Sequence, residues 1–381
     1  MKIVIAPDSF KESLSAMQVA MAIRNGFMEV FGDAQYVLLP MADGGEGTVD
    51  AMVDASHGQR LTAQVKGPLG EPVTACYGWL EESKTAVIEM AAASGLHLVP
   101  PIRRNPLHTS TFGTGELILA ALERGAQKII LGIGGSATND GGAGMMAALG
   151  AQLQDDKQQS LAPGGAALQH LAHIELSGLD SRLAQTDILV ACDVNNPLCG
   201  DKGASAIFGP QKGATPEMVR QLDSALRHYG EMIEQTTGSA VLDVPGAGAA
   251  GGMGAALFGL LNARLQPGIE IVTEALDLDS AVRGATLVIT GEGRIDSQTI
   301  HGKTPAGVAM VAQRHGVPVI ALAGSMSEDY DVVHQHGLDA VFSVLPRITS
   351  LPDALLAAED NIKVAARNIA MVWKLAKASR S

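Results

Sequence analysis

The chain of 381 residues predicts an α/β protein with two parts: a discontinuous, doubly wound parallel-sheet domain and an inserted domain of mixed α/β structure. Three observations carry this prediction. Short aliphatic runs alternate with helical stretches at both ends of the chain. Neither end alone supplies enough strands for a covered parallel sheet, but together they supply five, the number of a flavodoxin-like sheet. The middle opens instead with three strand-like runs joined by short turns, the pattern of an antiparallel meander.

Residues 3–6 (Ile-Val-Ile-Ala) form the first strand. Ser13 and Ser15 are available to cap a helix running to about Val30. A second strand, 36–39, ends at Pro40, and a helix follows over about 46–55. At the other end, strands are predicted at 287–290, 319–323 and 340–344. Between them lie a helix over 305–314, with Thr304 as N-cap and Pro305 in its first turn, and a short helix over 331–336. A long helix from about Pro352 closes the chain. The first domain is therefore placed at 1–60 plus 285–381, and the insert at 61–284. Within the insert the meander strands are 61–65, 73–79 and 85–89, with a turn at Pro68-Leu69-Gly70. A helix near 115–123, strands at 129–132 and 188–191, and helices near 216–236 and 252–263 complete it.

Composition narrows the partners. Apolar residues make up 46% and charged residues 18%, so core material is ample, but at 3% aromatic it must be aliphatic. The 27 basic and 40 acidic residues leave a charge of −13, with no basic stripe, which speaks against nucleic acid. Cys76, Cys192 and Cys199 have no zinc-like spacing and fit a reducing compartment. The apolar run after Met1-Lys2 is too short for a signal peptide, so a cytoplasmic location is expected. Residues 244–263 carry no charge and hold a Gly248/Gly252 pair, but Pro245 and the crowd of glycines argue for a loop feeding a buried helix rather than a membrane span.

In a sheet of order 2-1-3-4-5, ligands bind beyond the strand ends at the switch between strands one and three. The loops there are Pro7–Lys11, with Asp8 and Ser9, and Gly291–Asp296, with Glu292, Arg294 and Asp296. The loop Ala42–Thr48 is their neighbour; either Asp43 caps the next helix and Gly44, Gly45 and Gly47 make the turn, or these glycines admit an anion and Asp43 or Glu46 binds Mg²⁺ or a substrate hydroxyl. In the insert, Gly132–Gly142 follows a strand and precedes a helix without being a Walker A sequence. Its Gly134, Gly135, Ser136, Thr138, Asn139 and Gly141 either cradle phosphates or form a packing turn. Asp193, with Asn195 two residues on, suits metal or hydroxyl binding, or closes its strand in an Asx turn. Lys303 precedes a helix start and either reaches a transferring phosphoryl group or is a solvated lysine.

Six spaced motifs, APDSFKESLSA at 6–16, ADGGEGT at 42–48, GIGGSATNDGG at 132–142, ACDVNNPLCG at 191–200, GAAGGMG at 248–254 and ITGEGRIDSQTIHGKTP at 289–305, together resemble the bacterial glycerate kinase type 1 family. The resemblance implies ATP-dependent phosphorylation of D-glycerate with Mg²⁺, leaning towards 2-phosphoglycerate, in a cleft between two domains. It implies a small-molecule partner, D-glycerate, which accords with the readings from charge and hydropathy of no nucleic acid and no membrane, and leaves room for a homo-oligomer. On this basis Asp193, Asp296 and Lys303 are candidates for catalysis. Asp8, Ser9, Lys11, Asp43, Asn195 and Arg294 are candidates for substrate, and Asp43 and Glu292 for the metal. The glycine loop 134–141 is the candidate nucleotide site. The rival readings are a two-domain protein that clamps a small acid without reacting, and a dinucleotide-dependent dehydrogenase, the latter disfavoured because no full fingerprint follows the first strand.

Overall fold

The computed structural model describes residues 1–378, and these divide into two compact units. The first comprises Met1–Asp43, Asp50–Gly58 and Gly268–Ser381; the second comprises Gly44–Val49 and Gln59–Pro267.

The chain begins with β1 (Lys2–Ile5), α1 (Ala16–Met28), β2 (Gln35–Leu38) and α2 (Thr48–Ala55). Ser15 caps α1 in a reciprocal box with Gln18, while Ser13 donates to the Phe10 carbonyl. In the second unit come β3 (Gln59–Lys66), β4 (Pro72–Leu80), β5 (Thr85–Glu89), α3 (Phe112–Arg124), β6 (Lys128–Gly132), α4 (Ala143–Ala148), β7 (Asp187–Ala191), α5 (Pro216–Thr237), α6 (Ala249–Leu261) and β8 (Arg264–Gln266). The return to the first unit adds β9 (Leu287–Ile295), α7 (Thr304–Arg314), β10 (Val319–Met326), β11 (Ala340–Ser343) and the closing α8 (Ala358–Ala378).

The first unit's sheet has the order β11-β10-β9-β1-β2, all parallel, which is the 2-1-3-4-5 order predicted from strand counting. Ile3, Val4 and Ile5 are all fully buried, as are Leu287, Val288 and Ile289, so both faces of the sheet are covered. On one face α1 packs against α8 so closely that a Cβ on Gly26 would lie 2.3 Å from the Lys363 carbonyl oxygen. The expected boundary at 285 falls inside this unit. Helical segments Gly268–Ala275 and Leu278–Val282 pack on α7, where Ile269 fills the space a side chain on Gly307 would need. Pro305 lies in the first turn of α7 as expected, but the cap position is Lys303 rather than Thr304, whose hydroxyl is used elsewhere.

The second unit's sheet runs β8-β7-β6-β5-β4-β3. Its first four strands are parallel, and β5-β4-β3 form the predicted meander. Its core is aliphatic apart from Trp79, Tyr77 and Tyr229. The uncharged stretch at 244–263 contains α6, which is interrupted by left-handed residues at Ala250, Gly251 and Gly252. No helix among the described residues is long and apolar enough to cross a membrane.

Candidate functional site

In the first unit, the parallel pairing of β1 with β9 sets two loops side by side at their carboxyl ends, and the Asp8 amide donates to the Gly291 carbonyl at 2.9 Å. Asp8 Oδ1 accepts from the Ser9 amide at 2.6 Å, and Asp8 Oδ2 accepts from the Thr304 hydroxyl at 2.5 Å. Desolvation in this recess, aided by the negative charge of Asp43, lifts the Asp8 carboxyl to about 6. Glu292 is buried; its Oε1 accepts from Thr299 at 2.7 Å, and its Oε2 faces the Lys303 ammonium at 3.4 Å. Burial outweighs these partners and, with Asp8 nearby, pushes Glu292 up to about 7. Like-charge repulsion thus links Asp43 to Asp8 and Asp8 to Glu292.

The other candidates of this unit divide. Lys303 lies between Glu292 and Asp296, 3.4 and 3.9 Å away, and is less exposed than a solvated lysine would be. Asp296 is held by its own loop, accepting from the Gln298 amide at 2.9 Å and pairing with Arg294 at 3.1 Å. Its Oδ1 thus closes an Asx turn onto the Gln298 amide. Arg294 and Lys11 are exposed.

In the second unit, the loops after β6 and β7 meet the Gly44-Gly45 segment around a cavity of about 210 Å³. Its lining includes Gly44, Gly134, Ser136, Asp193 and Lys212. The exposed Gly134 borders open space, so its backbone is accessible to a ligand. Asp193 is exposed at the end of β7; Asn195 is also exposed but does not line the cavity.

The glycine loop itself splits, which corrects the sequence-based expectation. Only Gly134, Gly135 and Ser136 reach the cavity; Thr138, Asn139 and Gly141 are buried behind it. The cause is Asp140, whose buried carboxylate accepts from Thr111 through both amide and hydroxyl and from the amides of Gly142 and Gly144. These bonds turn the loop inward and occupy the first amides of α4, so that helix does not offer them to a phosphate. Gly141 donates its own amide to Gly251 at 3.0 Å. Asn139 donates to Ser205 at 2.9 Å, while its Oδ1 and the Thr138 hydroxyl are buried without hydrogen-bond partners.

Lys212 is the residue that sequence reasoning passed over. It is 2% exposed, yet it lines the cavity, and its amine donates to Ser136 Oγ at 2.7 Å and to the Thr138 carbonyl at 2.6 Å. Burial lowers its pKa to about 7 despite the nearby Asp140 charge. The run Gly209-Pro-Gln-Lys-Gly-Ala214 reads as a surface turn and carries no hint of this burial.

Accessible glycine backbone, the hydroxyl-bearing Ser136, Lys212 and Asp193 thus line one cavity of the second unit. No group of three His, Cys, Asp or Glu side chains among the described residues is placed to hold a metal ion. A larger cavity of about 620 Å³, bordered by Lys66, His108 and Phe112, has no carboxylate on its walls.

Residues 3–374 match the model of the glycerate kinase family. The chain is 62% identical to the glycerate 2-kinase of Escherichia coli K12, over 97% of each sequence, and 58% identical to a glycerate kinase of Bacillus subtilis, over 99% of each. It is also similar to the crystal structure of a protein provisionally assigned as glycerate kinase 2 from Salmonella typhimurium LT2, with a TM-score of 0.91, 56% identity and 99% coverage of both chains. The chain belongs to the glycerate kinase family.

Proposed function

We propose that this protein transfers the γ-phosphoryl group of ATP to the 2-hydroxyl of D-glycerate. The observation that carries this reading is the cavity of the second unit, where the Gly134–Ser136 backbone, Lys212 and Asp193 share one wall in a chain of this family. Phosphoryl transfer asks a protein mainly for positioning and for charge stabilisation. Gly134, Gly135 and Ser136 are assigned to the nucleotide phosphates. Asp193 orients the attacking hydroxyl and accepts its proton. Lys11, Arg294 and Lys303 are assigned to the carboxylate of glycerate, and Asp8 and Ser9 to its hydroxyl groups.

Mg²⁺, when bound with the nucleotide, neutralises charge on the phosphates. Asp43 and Glu292 are its protein ligands in this reading. Glu292 is suited by the crowding of acids around it, but its Oε2 already faces Lys303, so the ammonium must yield or share that oxygen.

The preference for the 2-hydroxyl rests on similarity to the Escherichia coli enzyme, whose name specifies it. Coupled measurement of ADP release tests the reaction: glycerate-dependent turnover with Mg²⁺ is expected. Folded protein that releases no ADP would return the clamp without chemistry to first place. Phosphorus NMR of the product distinguishes 2- from 3-phosphoglycerate.

A further inference from the structure

Lys212 is a costly residue to bury. A lysine side chain is rarely buried unless paired, because its ammonium loses hydration. Here the two hydrogen-bond partners of the amine are a hydroxyl and a carbonyl, neither of which carries charge. The nearby acid, Asp140, already accepts four hydrogen bonds from Thr111, Gly142 and Gly144. An ammonium has three N–H donors, so these two bonds leave one over. Lys212 lines the same cavity as Gly134, Gly135 and Ser136, and its amine is fixed to that loop through Ser136, itself a lining residue, and the Thr138 carbonyl.

A purely structural brace needs no amine at a cavity wall. A methionine or leucine of similar reach would fill the space without the desolvation cost. What the amine adds is a positive charge at the point where the glycine loop exposes its backbone.

We propose that Lys212 is the phosphate-binding cation of the Gly134–Ser136 loop, donating its remaining N–H to a phosphate oxygen of the bound nucleotide. This rests on the assignment of ATP to that cavity. The loop then supplies amides, and Lys212 supplies charge. Ser136 sets the direction of the amine and so acts as a positioning residue.

Two experiments test this. The first uses an acyl phosphate of ATP, which transfers its acyl group to amines lying beside the terminal phosphates. Peptide mapping of the labelled wild-type protein is expected to find the group on Lys212, with labelling suppressed by excess ATP. Labelling confined to Lys303, Lys11 or other lysines would overturn the proposal. The second is calorimetric titration of Lys212→Met with adenosine, ADP and ATP in the presence of Mg²⁺. Adenosine affinity should stay within twofold of wild type while ADP and ATP weaken at least tenfold. A folded variant that binds ADP and ATP as wild type does would also overturn it. Failure of the broader reading looks different, since wild-type protein would then neither bind ADP nor release it with glycerate. The labelling experiment needs no variant, so it decides the question even where Lys212→Met fails to fold.

Discussion

The Thr304 hydroxyl donates to Asp8 Oδ2 at 2.5 Å, joining residues 296 positions apart in the chain. This bond holds the loop after β1 against the start of α7, and it is one of the few interactions that keep the raised Asp8 carboxyl from rising further. Replacing Thr304 with Val is therefore expected to do two things. Asp8 should titrate at higher pH, moving any acid limb of kcat/KM upward. Stability at pH 8 should fall by about 1–2 kcal/mol, the cost of leaving a recessed acceptor short of a donor. A pH–rate profile and urea unfolding check the two effects separately.

Glu292 makes the opposite kind of prediction. Its folded pKa, about 7, lies above the ordinary 4.5, so between those values the folded state holds more protons than the unfolded one. Stability contributed by this group is fully present below pH 4.5 and is lost as pH rises through 7. Glu292→Gln removes the charge and keeps an acceptor for Thr299. The variant is expected to be more stable than wild type at pH 8 by about 1–3 kcal/mol, and no more stable at pH 4. Urea unfolding at the two pH values checks it. A variant stabilised equally at both would show that the burden on Glu292 is not its charge.

Asp193→Asn keeps the shape of the residue and removes its capacity to take a proton. With Asp193 as the base, kcat for D-glycerate is expected to fall about 100- to 10,000-fold, with KM for ATP changed little. Steady-state kinetics in both substrates reads this, and near-normal kcat would move the role to another carboxylate.

Two glycines in neighbouring loops should behave differently. Gly134 faces open space, so Gly134→Ala is expected to fold with wild-type stability while weakening nucleotide binding, because the new methyl occupies the cavity. Gly251 has φ +68°, and a Cβ there would lie 2.0 Å from the Thr138 carbonyl oxygen. Gly251→Ala is expected to destabilise the protein by about 3 kcal/mol or more, combining left-handed strain with steric overlap. Thermal melting and ADP titration of both variants give the comparison.

Much of the first unit was legible because its strands are buried on both faces. Ile3-Val4-Ile5 and Leu287-Val288-Ile289 read as continuous apolar runs, and the strand order follows once they are counted together. The short helical segments Gly268–Ala275 and Leu278–Val282 gave no such signal, so they were placed with the wrong unit. The glycine loop was visible as a motif, but its division at Ala137 was not, because it depends on Asp140 finding donors from Thr111, 29 residues earlier. Thr304 looked like a cap because its position before Pro305 permits one; only the fold brings Asp8 within its reach. Lys212 was hidden for the same reason: a lysine between glycines reads as solvent-facing until distant loops close over it.

β1 lies inside the first sheet, paired on one side with β2 and on the other with β9, whose first residue is Leu287. While the chain is being made, β1 emerges first and its β9 partner only after some 280 further residues have been added. At synthesis rates of about 5–20 residues per second this delay lasts roughly 14–60 s. Through that interval the nascent N-terminal segment, Ile3-Val4-Ile5 included, presents an unpaired edge beside the ribosome, while the second unit has all its strands in hand by Gln266 and can fold first. A circular permutant that begins near Gly268 would bring β1 out fewer than 100 residues after β9 and shorten the wait to roughly 4–18 s.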